Sequence, residues 1–140
     1  MKYKKGNYKY YLTEDYYSED GPIPTYSSVR GYSAKTDWGE LYPDGRIRLV
    51  KFFAYDGPSG PTRDDKTNMV PAAHHDFGYQ LIRLGLLPMS CRPLLDLDLQ
   101  RECRKRGMGK FRAWYYFEGV DHFAKYAAKY GTEPKTLEVF

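Results

Sequence analysis

The sequence predicts an α+β fold, a small N-terminal antiparallel β-sheet followed by three helices. Three observations predict it. Residues 1–56 hold short aromatic and alternating runs broken by Gly and Pro, residues 57–65 are dominated by turn-formers, and beyond them the apolar spacing turns helical. A length of 140 residues suits a single domain. It divides into a β-rich part (1–56), a Gly/Pro loop (57–65), a helical part (66–131) and a tail (132–140).

Asn7–Thr13 is rich in aromatic residues and reads as a strand. Gly21-Pro22-Ile23-Pro24 then interrupts helix and central strand alike, because proline fixes φ and donates no amide hydrogen. Pro43-Asp44-Gly45 supplies a turn, and Arg46-Ile47-Arg48-Leu49 alternates polar and apolar, so a hairpin is expected whose second strand runs through Val50 to Tyr55. The first helix starts near Thr67 or Asn68, either of which can cap it, with Pro71 in its first turn. His75, Tyr79 and Ile82 share a face, and the helix stops near Gly85 and Pro88. A second helix is expected from Arg92-Pro93 to Gly107, antiparallel to the first because the connection is short. A third covers Lys110 to about Tyr130.

Composition excludes several classes. The basic N-terminus, Met1-Lys2-Tyr3-Lys4-Lys5, is not followed by an apolar stretch, which argues against a secretory signal, and no apolar run approaches the roughly 20 residues of a membrane span. Cys91 and Cys103 form neither a disulfide framework nor a CxxC metal pattern, which points to synthesis in a reducing cytoplasm. Tyrosine occurs 15 times against seven Phe and two Trp. Such amphipathic rings suit thin sheets and contact surfaces.

The chemistry sits in the loop and the first two helices. Neighbouring helix positions diverge by about 100°, so His75 and Asp76 cannot serve one atom in the same way. An antiparallel second helix would present Asp96 to His75, holding one ring nitrogen while the other takes a proton from water. Asp76, beside a loop of exposed carbonyls, offers a hard oxygen site for Ca²⁺. Two plainer readings remain open: a helix-borne His-Asp pair serving structure alone, and Asp96 and Asp98 complementing a helix dipole. His74 joining His75 and Asp76 in a transition-metal site is disfavoured by adjacency.

Tyr55-Asp56-Gly57-Pro58-Ser59-Gly60, then His75-Asp76-Phe77-Gly78-Tyr79, then Asp96 on the next helix, resembles the phospholipase A₂ superfamily. Its pattern is a Tyr-x-Gly-x-Gly calcium loop, a His-Asp-x-x-Tyr helix and an aspartate on the antiparallel helix. The 20 positions from Tyr55 to His75 match the spacing of the secreted enzymes. His75 through Pro88 is similar to the parvoviral capsid version, which also lacks the disulfides. Over nearly the whole chain, Asp56–Thr62, the His-Asp helix, Arg92 with Asp96, and Arg112–Phe117 resemble the tailed-phage and prophage family of unknown function designated DUF 1353. The phospholipase resemblance implies His75 as general base and Asp76 as the Ca²⁺ carboxylate. It also implies loop carbonyls from Tyr55, Gly57 and Ser59 or Gly60, with Tyr79 and Asp96 fixing the His75 ring. In that mechanism Ca²⁺ polarises the ester carbonyl, and Asp96 is expected to hold the Nδ1–H of the imidazolium. Ser59 stands where phospholipase loops have glycine, and Pro58 and Pro61 remove two amides.

Arg101, Arg104, Lys105, Arg106, Lys110 and Arg112 oppose only Glu102 between residues 101 and 112, a net +5. Helix C-terminal charge with solubility explains this cluster, an anionic phospholipid or membrane surface is the next reading, and nucleic acid is the last. Two functions of different class follow. One is a phage-encoded, calcium-dependent phospholipid esterase. The other is a non-catalytic virion, tail or assembly protein made in the bacterial host cytoplasm, its tyrosines meeting other virion proteins.

Overall fold

The computed structural model describes residues 1–4, 10–18, 29–55 and 65–127, the side chains of 121–127 excepted. Its strands are β1 (Tyr3–Lys4), β2 (Tyr10–Leu12), β3 (Tyr16–Tyr17), β4 (Ala34–Thr36), β5 (Gly39–Leu41), β6 (Ile47–Leu49) and β7 (Ala54–Tyr55). The helices are α1 (Met69–Arg83), α2 (Arg92–Lys105) and α3 (Lys110–Ala127). The α+β class is as the sequence predicts. The strands, however, form two small antiparallel sheets rather than one, in the orders β1-β2-β7 and β3-β6-β5-β4.

The switch between sheets corrects the expected hairpin. The Pro43-Asp44-Gly45 turn does join β5 to β6, with Leu41 opposite Ile47 and Gly39 opposite Leu49. The second strand stops at Leu49 instead of running to Tyr55. Phe52 has φ 74°, a left-handed backbone that ends a strand. The Phe52 amide donates to the Leu12 carbonyl (2.8 Å), and the Leu12 amide to that of Phe53 (3.0 Å), which carries the chain into the other sheet as β7. Within β2, alternation buries Tyr10 and Leu12, and Tyr10 pairs with Tyr55.

Helix α1 is the central rod. Leu12, Leu41, Ile47, Leu49 and Phe53 from the sheets form one core with Ala73, Phe77 and Leu81 of α1. A second core joins α2 to α3 through Leu99, Cys103, Met108, Ala113 and Tyr116. Asn68 takes the N-cap position of α1, one of the two residues expected there, but its side chain makes no capping hydrogen bond, and Asp65 braces the turn before it. The Asp65 carboxylate accepts the Thr67 amide (2.8 Å), and the Asn68 side chain accepts the Asp65 amide (3.0 Å) in return. At its end the Leu86 amide donates to Leu81 (2.8 Å) and the Gly85 amide to Ile82 (2.9 Å). This closure needs the φ of +76° that Gly85 supplies. Gly107 (φ +104°) ends α2 the same way. The short link then makes α2 antiparallel to α1. Residues 128–130 of the expected third helix, the tail 132–140 and the strand assignment for 7–9 fall outside the described residues. No helix among the described residues is long and apolar enough to cross a membrane.

Candidate active site

Gly78 sets the distance between α1 and α2. A Cβ there would lie 2.7 Å from Leu95 Cδ1, so glycine admits the Leu95 side chain against the helix backbone. That approach brings the next residue, Asp96, within hydrogen-bonding reach of α1. His75 and Tyr79 occupy one face a turn apart, with ring centroids 4.2 Å from each other.

Asp96 is fully buried and engaged on both oxygens. Oδ1 meets His75 Nε2 at 2.6 Å and accepts the Tyr79 hydroxyl at 2.5 Å. Oδ2 accepts Arg92 at 3.0 Å. A carboxylate removed from water is costly unless donors compensate it, and three side chains do so here. The other imidazole nitrogen, Nδ1, lies 3.9 Å from Asp76 Oδ1, an ion-pair distance rather than a hydrogen bond. The expected roles of the two ring nitrogens are therefore exchanged. Asp96 holds Nε2, and Nδ1 faces the partly exposed Asp76, because Asp96 approaches from α2 while Asp76 sits on the helix beside the ring.

Burial alone would depress the His75 pKa, but the carboxylates of Asp76 and Asp96 outweigh it and raise the value above the usual 6.5. Burial and the Asp96 charge both push the Tyr79 hydroxyl well above its ordinary range, so it stays protonated and serves as a donor. His75 is 5% exposed, which makes this a nearly closed site.

His74 turns away from this group. Its Nδ1 lies 2.9 Å from Glu102 Oε2 and its Nε2 3.0 Å from the Tyr16 hydroxyl, with the Tyr16 ring stacked on the imidazole. Both nitrogens are thus engaged by α2 and β3, and His74 does not join His75 and Asp76. The sequence names Arg92 with Asp96 as a motif but gives Arg92 no role; here it holds Oδ2 of that carboxylate from four positions back along α2, a spacing that places the two side chains together on one helix face.

The expected calcium ligands divide. Asp76 stands beside His75 with its side chain 29% exposed. Tyr55 is buried at the end of β7 with its ring against Tyr10 and Phe53. Gly57, Ser59 and Gly60 lie outside the described residues. Among the described residues no three His, Cys, Asp or Glu side chains converge as a metal cage. The Asp76 carboxylate is a hard oxygen donor, the kind an oxygen-liganded cation takes.

The basic cluster is not one uniform surface. Arg112 pairs with Asp65 at 2.7 Å, Arg101 with Asp98 at 3.0 Å, and Arg104 donates to the Met108 carbonyl at 2.7 Å. Lys105 and Lys110 are exposed, and Arg106 is half-buried. Cys91 and Cys103 are buried free thiols, in keeping with the absence of a disulfide framework. Comparison with protein-family models, curated proteins and solved structures found no match to this chain.

Proposed function

We propose that the protein is a phage-encoded, phospholipase A₂-like esterase that hydrolyses phospholipid acyl esters with water activated by His75. The observation that carries this reading is the Asp96-held His75 ring, with Nε2 at 2.6 Å from the carboxylate and Nδ1 turned toward Asp76. In this reading Nδ1 removes a proton from water, and the resulting hydroxide attacks the acyl carbon. Asp96 stabilises the imidazolium through Nε2–H, while Tyr79 and Arg92 keep the carboxylate in place. Collapse of the tetrahedral intermediate breaks the ester C–O bond. The leaving alkoxide recovers the proton from Nδ1, giving free fatty acid and lysophospholipid. Asp76 would hold Ca²⁺ together with loop carbonyls, and the ion's chemistry when bound is to polarise the ester carbonyl.

The test is fatty acid release from mixed phospholipid vesicles with and without Ca²⁺. His75→Ala is expected to lower the rate by roughly 10²–10⁴-fold, and Asp76→Asn to remove the Ca²⁺ dependence. Activity indifferent to both substitutions eliminates the site. One observation favours a second reading, a non-catalytic virion or assembly protein: the 5% exposure of His75 suits a buried polar pin between two helices. That reading expects no fatty acid release and a large loss of stability in His75→Ala.

A further inference from the structure

Helix α2 buries Leu95, Asp96, Asp98, Leu99 and Cys103, which leaves a second face toward solvent. Leu94, Leu97, Arg101 and Arg104 follow one another there at helical spacing, with Leu94 38% and Leu97 41% exposed. The stripe leads to the start of α3, where Phe111 is 76% and Trp114 52% exposed. Their ring centroids are 6.0 Å apart. Together with Gln100, Arg104 and Lys110 they line a mainly apolar concavity of about 590 Å³.

We propose that this α2–α3 face docks onto an anionic phospholipid bilayer. Large apolar side chains so exposed are a liability in water unless something covers them. Here the rings and leucines are bordered by cations on long stems, among them Arg104, Lys105 and Lys110. An interfacial surface has this character: rings and leucines enter the acyl boundary while the charged heads meet anionic headgroups. A second copy of the chain is a poor occupant, because the same cations would face each other across the contact. Nucleic acid phosphates would use the cations but leave the exposed leucines uncovered. The surface goes beyond the esterase reading and stands whether or not His75 acts as a base.

The test is co-sedimentation of the full chain with phosphatidylglycerol vesicles and with phosphatidylcholine vesicles. Binding is expected to the anionic vesicles, weaker by roughly tenfold on the zwitterionic ones and weakened by added salt. Phe111→Ser with Trp114→Ser is expected to weaken anionic-vesicle binding by roughly tenfold or more. Lys105→Gln with Lys110→Gln should flatten the salt dependence. All four positions are exposed, and circular dichroism checks that the variants fold. Failure to bind phosphatidylglycerol, or binding indifferent to loss of both rings, overturns the proposal. So does a dimer in sedimentation that the ring variant dissociates, or tighter binding to a single-stranded oligonucleotide than to the vesicles. Vesicle binding without fatty acid release leaves this surface standing and overturns the esterase. Release without ring-dependent binding does the reverse.

Discussion

Replacing Asp96 by Asn removes one buried negative charge at nearly constant volume. That charge lies 2.6 Å from His75 Nε2 and 3.0 Å from Arg92. A hydrogen bond to a charged group contributes about 1.5–3 kcal/mol. Losing the carboxylate takes that stabilisation from the protonated ring and so lowers the His75 pKa. The Arg92 charge, no longer offset by Asp96, acts in the same direction. In the wild type the base works only when deprotonated, so activity falls as pH drops through a folded value raised above 6.5. In Asp96→Asn this acid limb moves to lower pH, while the plateau falls by roughly 10²–10⁴-fold because the imidazolium loses its counter-charge. Stability has the opposite sense. Protonated His75 favours the folded state, a contribution complete below the unfolded value and lost as pH rises through the raised folded one. The assay is fatty acid release against pH, alongside NMR titration of the His75 ring. A His75 that titrates at an unchanged or higher pH in Asp96→Asn refutes the electrostatic reasoning. A lowered pKa with an unchanged rate refutes its role as the base.

Three further outcomes test the frame around the site. His74→Ala should cost about 2–4 kcal/mol, because it leaves Glu102 and Tyr16 without their shared partner and opens a void. Thermal melting reads the loss, and below the lowered midpoint the esterase rate should be unaffected. Gly39→Ala should cost about 2–3 kcal/mol, seen as a lower urea midpoint, since the new Cβ collides with the Arg48 carbonyl oxygen and presses on Phe77. Asp65 is held down to a pKa of about 2, its burial outweighed by Thr67 hydrogen bonds and by Arg112. Its contribution is present above the ordinary 3.8 and lost as pH falls through about 2. Asp65→Asn should therefore cost about 1 kcal/mol at neutral pH after solvent screening, and nothing in strong acid.

The helices were legible because their signals are local. Gly85 and Gly107 stand two positions past the last helical residue, just beyond the C-cap, where a left-handed residue closes the last turn, and the spacing of His75, Tyr79 and Ile82 by four and three marks the inner face of α1. The sheets were legible only in part. Alternation through Arg46–Leu49 showed β6, but nothing in Val50–Tyr55 announces that a phenylalanine adopts positive φ and passes the chain to another sheet. That conformation is stabilised by contacts with Leu12, some 40 positions earlier, and a short window of sequence holds no trace of so distant a partner.

The site divides along the same line. The pairing of His75 with Asp96 follows from two antiparallel helices and a short connection, and a Tyr one turn beyond the His falls on the same carboxylate. The choice of ring nitrogen does not follow from spacing, because it depends on the rotamer that packing against Tyr79 selects. Neither does the fate of His74, whose partners come from β3 and from the far end of α2. The two adjacent histidines thus have unlike environments. His74 has each nitrogen within 3.0 Å of a neighbour, whereas His75 has one nitrogen held and the other 3.9 Å from a carboxylate. In the proposed mechanism the general base is therefore His75, whose Nε2 is anchored by Asp96, and not His74, both of whose nitrogens are engaged.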